Sequence, residues 1–140
     1  MKTRKSLNLI GLIVLIITGL NALAAGFSMI VNPSGNDLGM SVNTVLQHSP
    51  FTSFLIPGLI LFATIGVLSM ITALSYFMKW KNHEFLIMLQ GAILFGWIFF
   101  QVIFLQQFNW MHATFGIVGI FLIWWGYSLY KVNRKVQTTY

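Results

Sequence analysis

The sequence contains no cysteine and only two acidic residues, Asp37 and Glu84. The first absence excludes disulfides, thiolate metal sites and cysteine nucleophiles. The second removes any mechanism that needs a cluster of carboxylates. Charge of either sign is scarce: 7% of the residues are charged, against about 25% in a typical soluble domain. No glycine-rich phosphate loop, nucleophile elbow or zinc-protease motif occurs. No catalytic residue is therefore assigned, and the chain reads as a non-enzymatic protein.

What fills the space is apolar. Of 140 residues, 57% are hydrophobic, and the mean hydropathy is +0.81. A soluble domain of this size buries only part of its surface and has no way to hide so much apolar area. From Lys5 to Lys79 the only charged residue is Asp37, and from Phe85 to Tyr130 there is none. As a helix the second run would be roughly 70 Å long, enough to cross a ~30 Å hydrocarbon core twice.

Four spans are expected, at about residues 7–31, 52–78, 85–105 and 110–130. They lack the period-two polarity of a membrane barrel, so their backbone groups must be satisfied within helices. The fold expected is all-α: a single-domain, antiparallel four-helix membrane bundle over residues 1–140. The breaks agree. Asn32-Pro33-Ser34-Gly35-Asn36 is a turn cluster, and Ser49-Pro50 reads as a helix cap followed by proline. Pro57 predicts either a kink in a long helix or a span that begins at Gly58. The segment after Tyr130 is expected to fray.

All eight basic residues fall in three clusters: Lys2, Arg4 and Lys5; Lys79 and Lys81; Lys131, Arg134 and Lys135. Four spans place these clusters on one side, which the positive-inside rule makes the cytoplasm, so both termini are expected inside. Lys79, Lys81 and Glu84 read as a solvated hairpin. Lys131, Arg134 and Lys135 suit anionic lipid headgroups. The net charge of +6 does not indicate nucleic acid, because no soluble domain carries a basic face. The first 25 residues also have a signal-peptide layout, with Ala22-Leu23-Ala24 as a cleavage site. The apolar run continues through Val31, however, and an uncleaved helix is the reading taken.

Polar side chains inside spans are the default candidates for function. Gln90, Trp97 and Gln101 share one side of the third helix, and Asn21 and His112 lie in the first and fourth. Asn21, Gln101 and His112 are expected to converge in a pocket walled by Gln90 and Trp97, with Asp37 and His48 of the external loop above it. The plainer reading is interhelical hydrogen bonding, typically ~0.6 kcal/mol per side chain. No metal site is expected, since the three histidines are divided between the two sides. Small residues at Ala22/Gly26, Ala92/Gly96 and Gly116/Gly119/Gly126 are expected to face neighbouring helices, with a homo-oligomer seam as the alternative. Trp124 and Trp125 suit an interfacial aromatic belt.

Asn32-Pro33-Ser34-Gly35, Leu38-Gly39, Ser49-Pro50-Phe51, Ile56-Pro57-Gly58-Leu59, and Trp97-Ile98 followed by Gln101 together resemble a pattern in small bacterial four-helix membrane proteins that are DoxX-like in layout. The likeness covers most of the chain, although Asn32 stands where that pattern carries an acid. It implies a four-helix layout in the bacterial inner membrane and transfers no catalytic or binding residue. Three functions remain open. The first is binding of a lipid or small apolar ligand, or support of a membrane complex, with no cofactor. The second is a redox subunit that contacts quinone through Gln101 and His112. The third is an oligomeric transporter of small solutes.

Overall fold

The computed structural model describes residues 2–137. Four long helices account for most of them: α1 (Lys2–Val31), α2 (Leu55–Phe77), α3 (His83–Leu105) and α4 (Trp110–Gln137). All four are long and apolar enough to cross a membrane. No strand occurs among the described residues.

Polarity runs inside out relative to a soluble protein. Ile17, Phe27, Phe99 and Ile117 are more than half exposed, whereas Ser69, Thr72, Ser75 and Gln90 are fully buried and Thr18 nearly so. In water this distribution would be costly. In lipid, apolar side chains can face the solvent while polar ones find partners inside.

Small residues set the helix contacts. A Cβ added at Gly26 of α1 would lie 2.8 Å from the Phe62 nitrogen and 2.9 Å from the Gly58 carbonyl oxygen of α2. One at Gly19 would meet the Ser69 Cβ at 2.8 Å. Between α3 and α4, a Cβ at Gly91 would lie 2.6 Å from the Gly119 oxygen, and one at Gly126 would lie 2.8 Å from the Glu84 oxygen. Two backbones approach this closely only where no side chain intervenes. Ala92 and Gly96, by contrast, are exposed, and Gly96 faces open space.

The middle of α2, Leu61–Val67, is π-helical, and the Leu68 N–H bonds back to the Ala63 carbonyl. The positions packed on α1 explain why. Gly58, Phe62, Gly66 and Met70 all touch it and recur every four residues. On an α-helix such a repeat drifts by about 40° per step. A wider turn counters the drift and keeps the whole row against α1. Pro57 sits in the first turn of α2, where its missing N–H breaks no helical bond. The interruption of this span is therefore the π segment, not a proline kink.

Three local expectations need correction. The Ser49 hydroxyl accepts the Phe51 N–H in a local turn, and the helix starts only at Leu55, so Ser49-Pro50 does not open a span. Glu84 is 8% exposed and is not part of a solvated hairpin. Helix α3 begins at His83, one turn wound inward against the bare Gly126 backbone. The segment after Tyr130 does not fray at once but continues α4 to Gln137. Lysine and arginine favour helix and lay their stems along apolar surface.

The loop between α1 and α2 folds back onto the helix ends. Gly35 has φ +76°, and a Cβ there would strike the Phe54 ring at 2.6 Å. The Phe54 N–H bonds to the Pro33 carbonyl, and Leu46 and Phe54 are buried beneath the loop.

Candidate functional site

The site builds from a contact at the end of the helices that carries the basic clusters. Trp125 of α4 is fully buried and its indole lies against Gly11 of α1, where any side chain would collide with the ring. Its Nε1–H donates to the Asn8 side-chain oxygen at 3.0 Å. A tryptophan buried beside lipid needs such a partner for its one polar atom. The indole fills the space left bare at Gly11, and a groove of about 320 Å³ opens between α1 and α4 beside it.

Thr3, Arg4, Leu7 and Asn8 line the α1 side of the groove, and Trp124, Trp125, Ser128, Leu129 and Val132 line the α4 side. Leu7, Leu129 and Val132 give the groove an apolar lining, and Thr3, Arg4, Asn8 and Ser128 add polar groups to it. Neither acid of the chain lines it. Farther along α4, the Lys131 ammonium lies 4.7 Å from the Tyr127 ring centre and the Arg134 guanidinium 5.2 Å from that of Tyr130. Cation–π contact lays both side chains back along α4.

Behind the groove, Tyr76 joins two sites. Its ring lies 5.5 Å from Trp125 and 5.6 Å from His83. His83 Nδ1 is 2.9 Å from the Trp80 carbonyl oxygen and 3.4 Å from Glu84 Oε2. The shorter contact takes the Nδ1 proton, so Glu84 Oε2 has no hydrogen-bond partner among the described residues.

Of the pocket residues expected from sequence, Asn21 faces away from the bundle: it is exposed on the outer face of α1 and does not join the others. Gln90 is fully buried, while Trp97 and Gln101 are half-buried on the same side of α3. Trp97 stacks on Phe100 at 6.0 Å, and Phe100 lies 4.1 Å from Phe104. His112 is buried, and its Nδ1 accepts the Asn109 N–H at 3.1 Å, which caps the start of α4. That bond places the proton of the neutral ring on Nε2. Asp37 and His48 are exposed in the loop.

Sequence reasoning missed Arg4, Asn8 and Ser128 as site residues. In the sequence Arg4 belongs to a charge cluster and Asn8 to an apolar run. The available signal is an amide at the second position of that run, together with Trp125, 117 residues on from Asn8.

These features define a class, a helical protein with the four long apolar helices of a multi-pass membrane protein. Compared with protein-family models, curated proteins and solved structures, the chain matches none.

Proposed function

We propose that this protein is an antiparallel four-helix bundle of the bacterial inner membrane, with both termini in the cytoplasm, that binds a membrane lipid between α1 and α4. It acts as a binding or support protein and not as an enzyme. The observation that carries this reading is the α1–α4 groove, whose lining joins the Arg4 guanidinium to the apolar side chains of Leu7, Leu129 and Val132. An amphiphile matches both parts at once. The clustering of all eight basic residues on one side of the threading supports the orientation. The resemblance to DoxX-like proteins supports the layout and the compartment.

Native mass spectrometry of the full chain after mild detergent extraction tests the reading. The wild type is expected to retain lipid, and Ser128→Phe, which fills the groove from α4, is expected to lose it. Equal retention by the two would overturn the assignment. A quinone-contacting redox subunit is the second reading, favoured by the Trp97–Phe100–Phe104 aromatic stack beside Gln101. A retained quinone mass that disappears in Gln101→Leu would select it.

A further inference from the structure

Resting on the lipid-binding reading above, we propose that the groove selects an anionic phospholipid, with its phosphate at Arg4 and an acyl chain laid between Leu7 and Leu129. The argument begins with the charge inventory. Eight cations face two acids across the whole chain. Asp37 lies in the loop between α1 and α2, and Glu84 is buried against His83. Neither lines the groove, so among the described residues no acidic side chain there offsets the Arg4 guanidinium.

Lys131, three residues after Ser128 on α4, adds a second exposed cation beside the groove. A guanidinium forks onto phosphate oxygens bidentately, whereas a zwitterionic headgroup brings its own ammonium to the same place. Half-exposed Trp124 stands at the rim, where an indole suits the headgroup level. Along the floor, Leu7, Leu129 and Val132 offer an acyl chain an apolar bed that a soluble anion has no use for.

The test is competition. The delipidated full chain in detergent is given equal amounts of dioleoyl phosphatidylglycerol and dioleoyl phosphatidylcholine, and bound lipid is counted by native mass spectrometry. About a fivefold preference for phosphatidylglycerol is expected, the ratio that ~1 kcal/mol from one basic side chain provides. Arg4→Gln, at an exposed position, is expected to bring the ratio close to one while total bound lipid stays the same. Lys81→Gln, an exposed cation on the α2–α3 hairpin, is expected to keep the preference.

Equal binding of both lipids by the wild type would overturn the anionic assignment and leave the lipid-binding function standing. So would a preference that survives Arg4→Gln, or one that Lys81→Gln abolishes equally. A wild type that retains neither lipid would overturn both proposals. A lipid-free dimer that Ser128→Phe dissociates would do the same and would make a second copy of the chain the occupant.

Discussion

The Trp125 indole N–H reaches across the interface between α4 and α1 to the Asn8 side-chain oxygen at 3.0 Å. It is a direct side-chain hydrogen bond between two long helices, made by residues 117 positions apart. Asn8→Leu removes the acceptor and leaves the N–H of a fully buried ring without a partner, at an expected cost of about 1–2 kcal/mol. In a Trp125→Phe background the same change is expected to cost less, with a coupling of about 0.6 and at most ~1.7 kcal/mol. Reversible unfolding in mixed detergent micelles measures all four corners of the cycle. Strict additivity would show that the bond does not couple the helices.

The glycines of α3 separate contact from composition. Gly91→Ala would set a methyl 2.6 Å from the Gly119 oxygen and 2.8 Å from the Ile123 nitrogen. Both are backbone atoms and neither can swing aside. The helices must part, so a loss of about 1–3 kcal/mol is expected. Gly96→Ala, five residues along the same helix, meets nothing within 4 Å. It is expected to be neutral or stabilising by up to ~1 kcal/mol through helix propensity. Comparing unfolding midpoints of the two variants in one detergent checks the contrast.

Because the chain has no cysteine, single introduced thiols report topology without background. His48→Cys in the loop after α1 and Lys81→Cys in the turn after α2 are both at exposed positions. With both termini inside, a membrane-impermeant maleimide is expected to label the first in intact spheroplasts and the second only after permeabilisation. The reverse pattern would invert the proposed orientation, and labelling of both before permeabilisation would contradict the threading.

The helices were legible because lipid imposes a simple rule: long uncharged runs must be helical, and turn clusters must separate them. Within that frame Ala22 and Gly26 were read correctly as a packing pair, while Ala92 and Gly96, equally small and equally spaced, face outward. Spacing says that two residues share a face but not where that face points, and in an apolar helix no polarity gradient marks the answer. The same limit applies to Asn21, which was placed in a pocket on residue type alone and is exposed. Glu84 failed in the other direction. A carboxylate beside lysines reads as solvated, and only the glycine facing it on α4, 42 positions on, leaves room for burial. The groove was not legible at all, because it depends on the bulk of Trp125 meeting the absence of bulk at Gly11.

Gln90 provides the sharpest stability prediction. Its side chain is fully buried, and neither the amide nitrogen nor the oxygen has a hydrogen-bond partner among the described residues. Ser75, equally buried on α2, differs in donating its hydroxyl to the Thr72 carbonyl at 2.7 Å. An unpaired buried polar group costs about 1–3 kcal/mol, whereas an apolar group of the same shape costs nothing in desolvation. Gln90→Met keeps the length and flexibility of the chain and removes both orphan atoms. It is therefore expected to raise stability by about 1–3 kcal/mol, while Ser75→Ala, which gives up a made bond, lowers it by about 0.6 kcal/mol. If unfolding in detergent shows Gln90→Met to be destabilised instead, the amide is satisfied by something other than protein. The core between α2 and α3 would then hold bound water, and hydrogen exchange at Gln90 and Ser69 in the folded protein would be the next measurement.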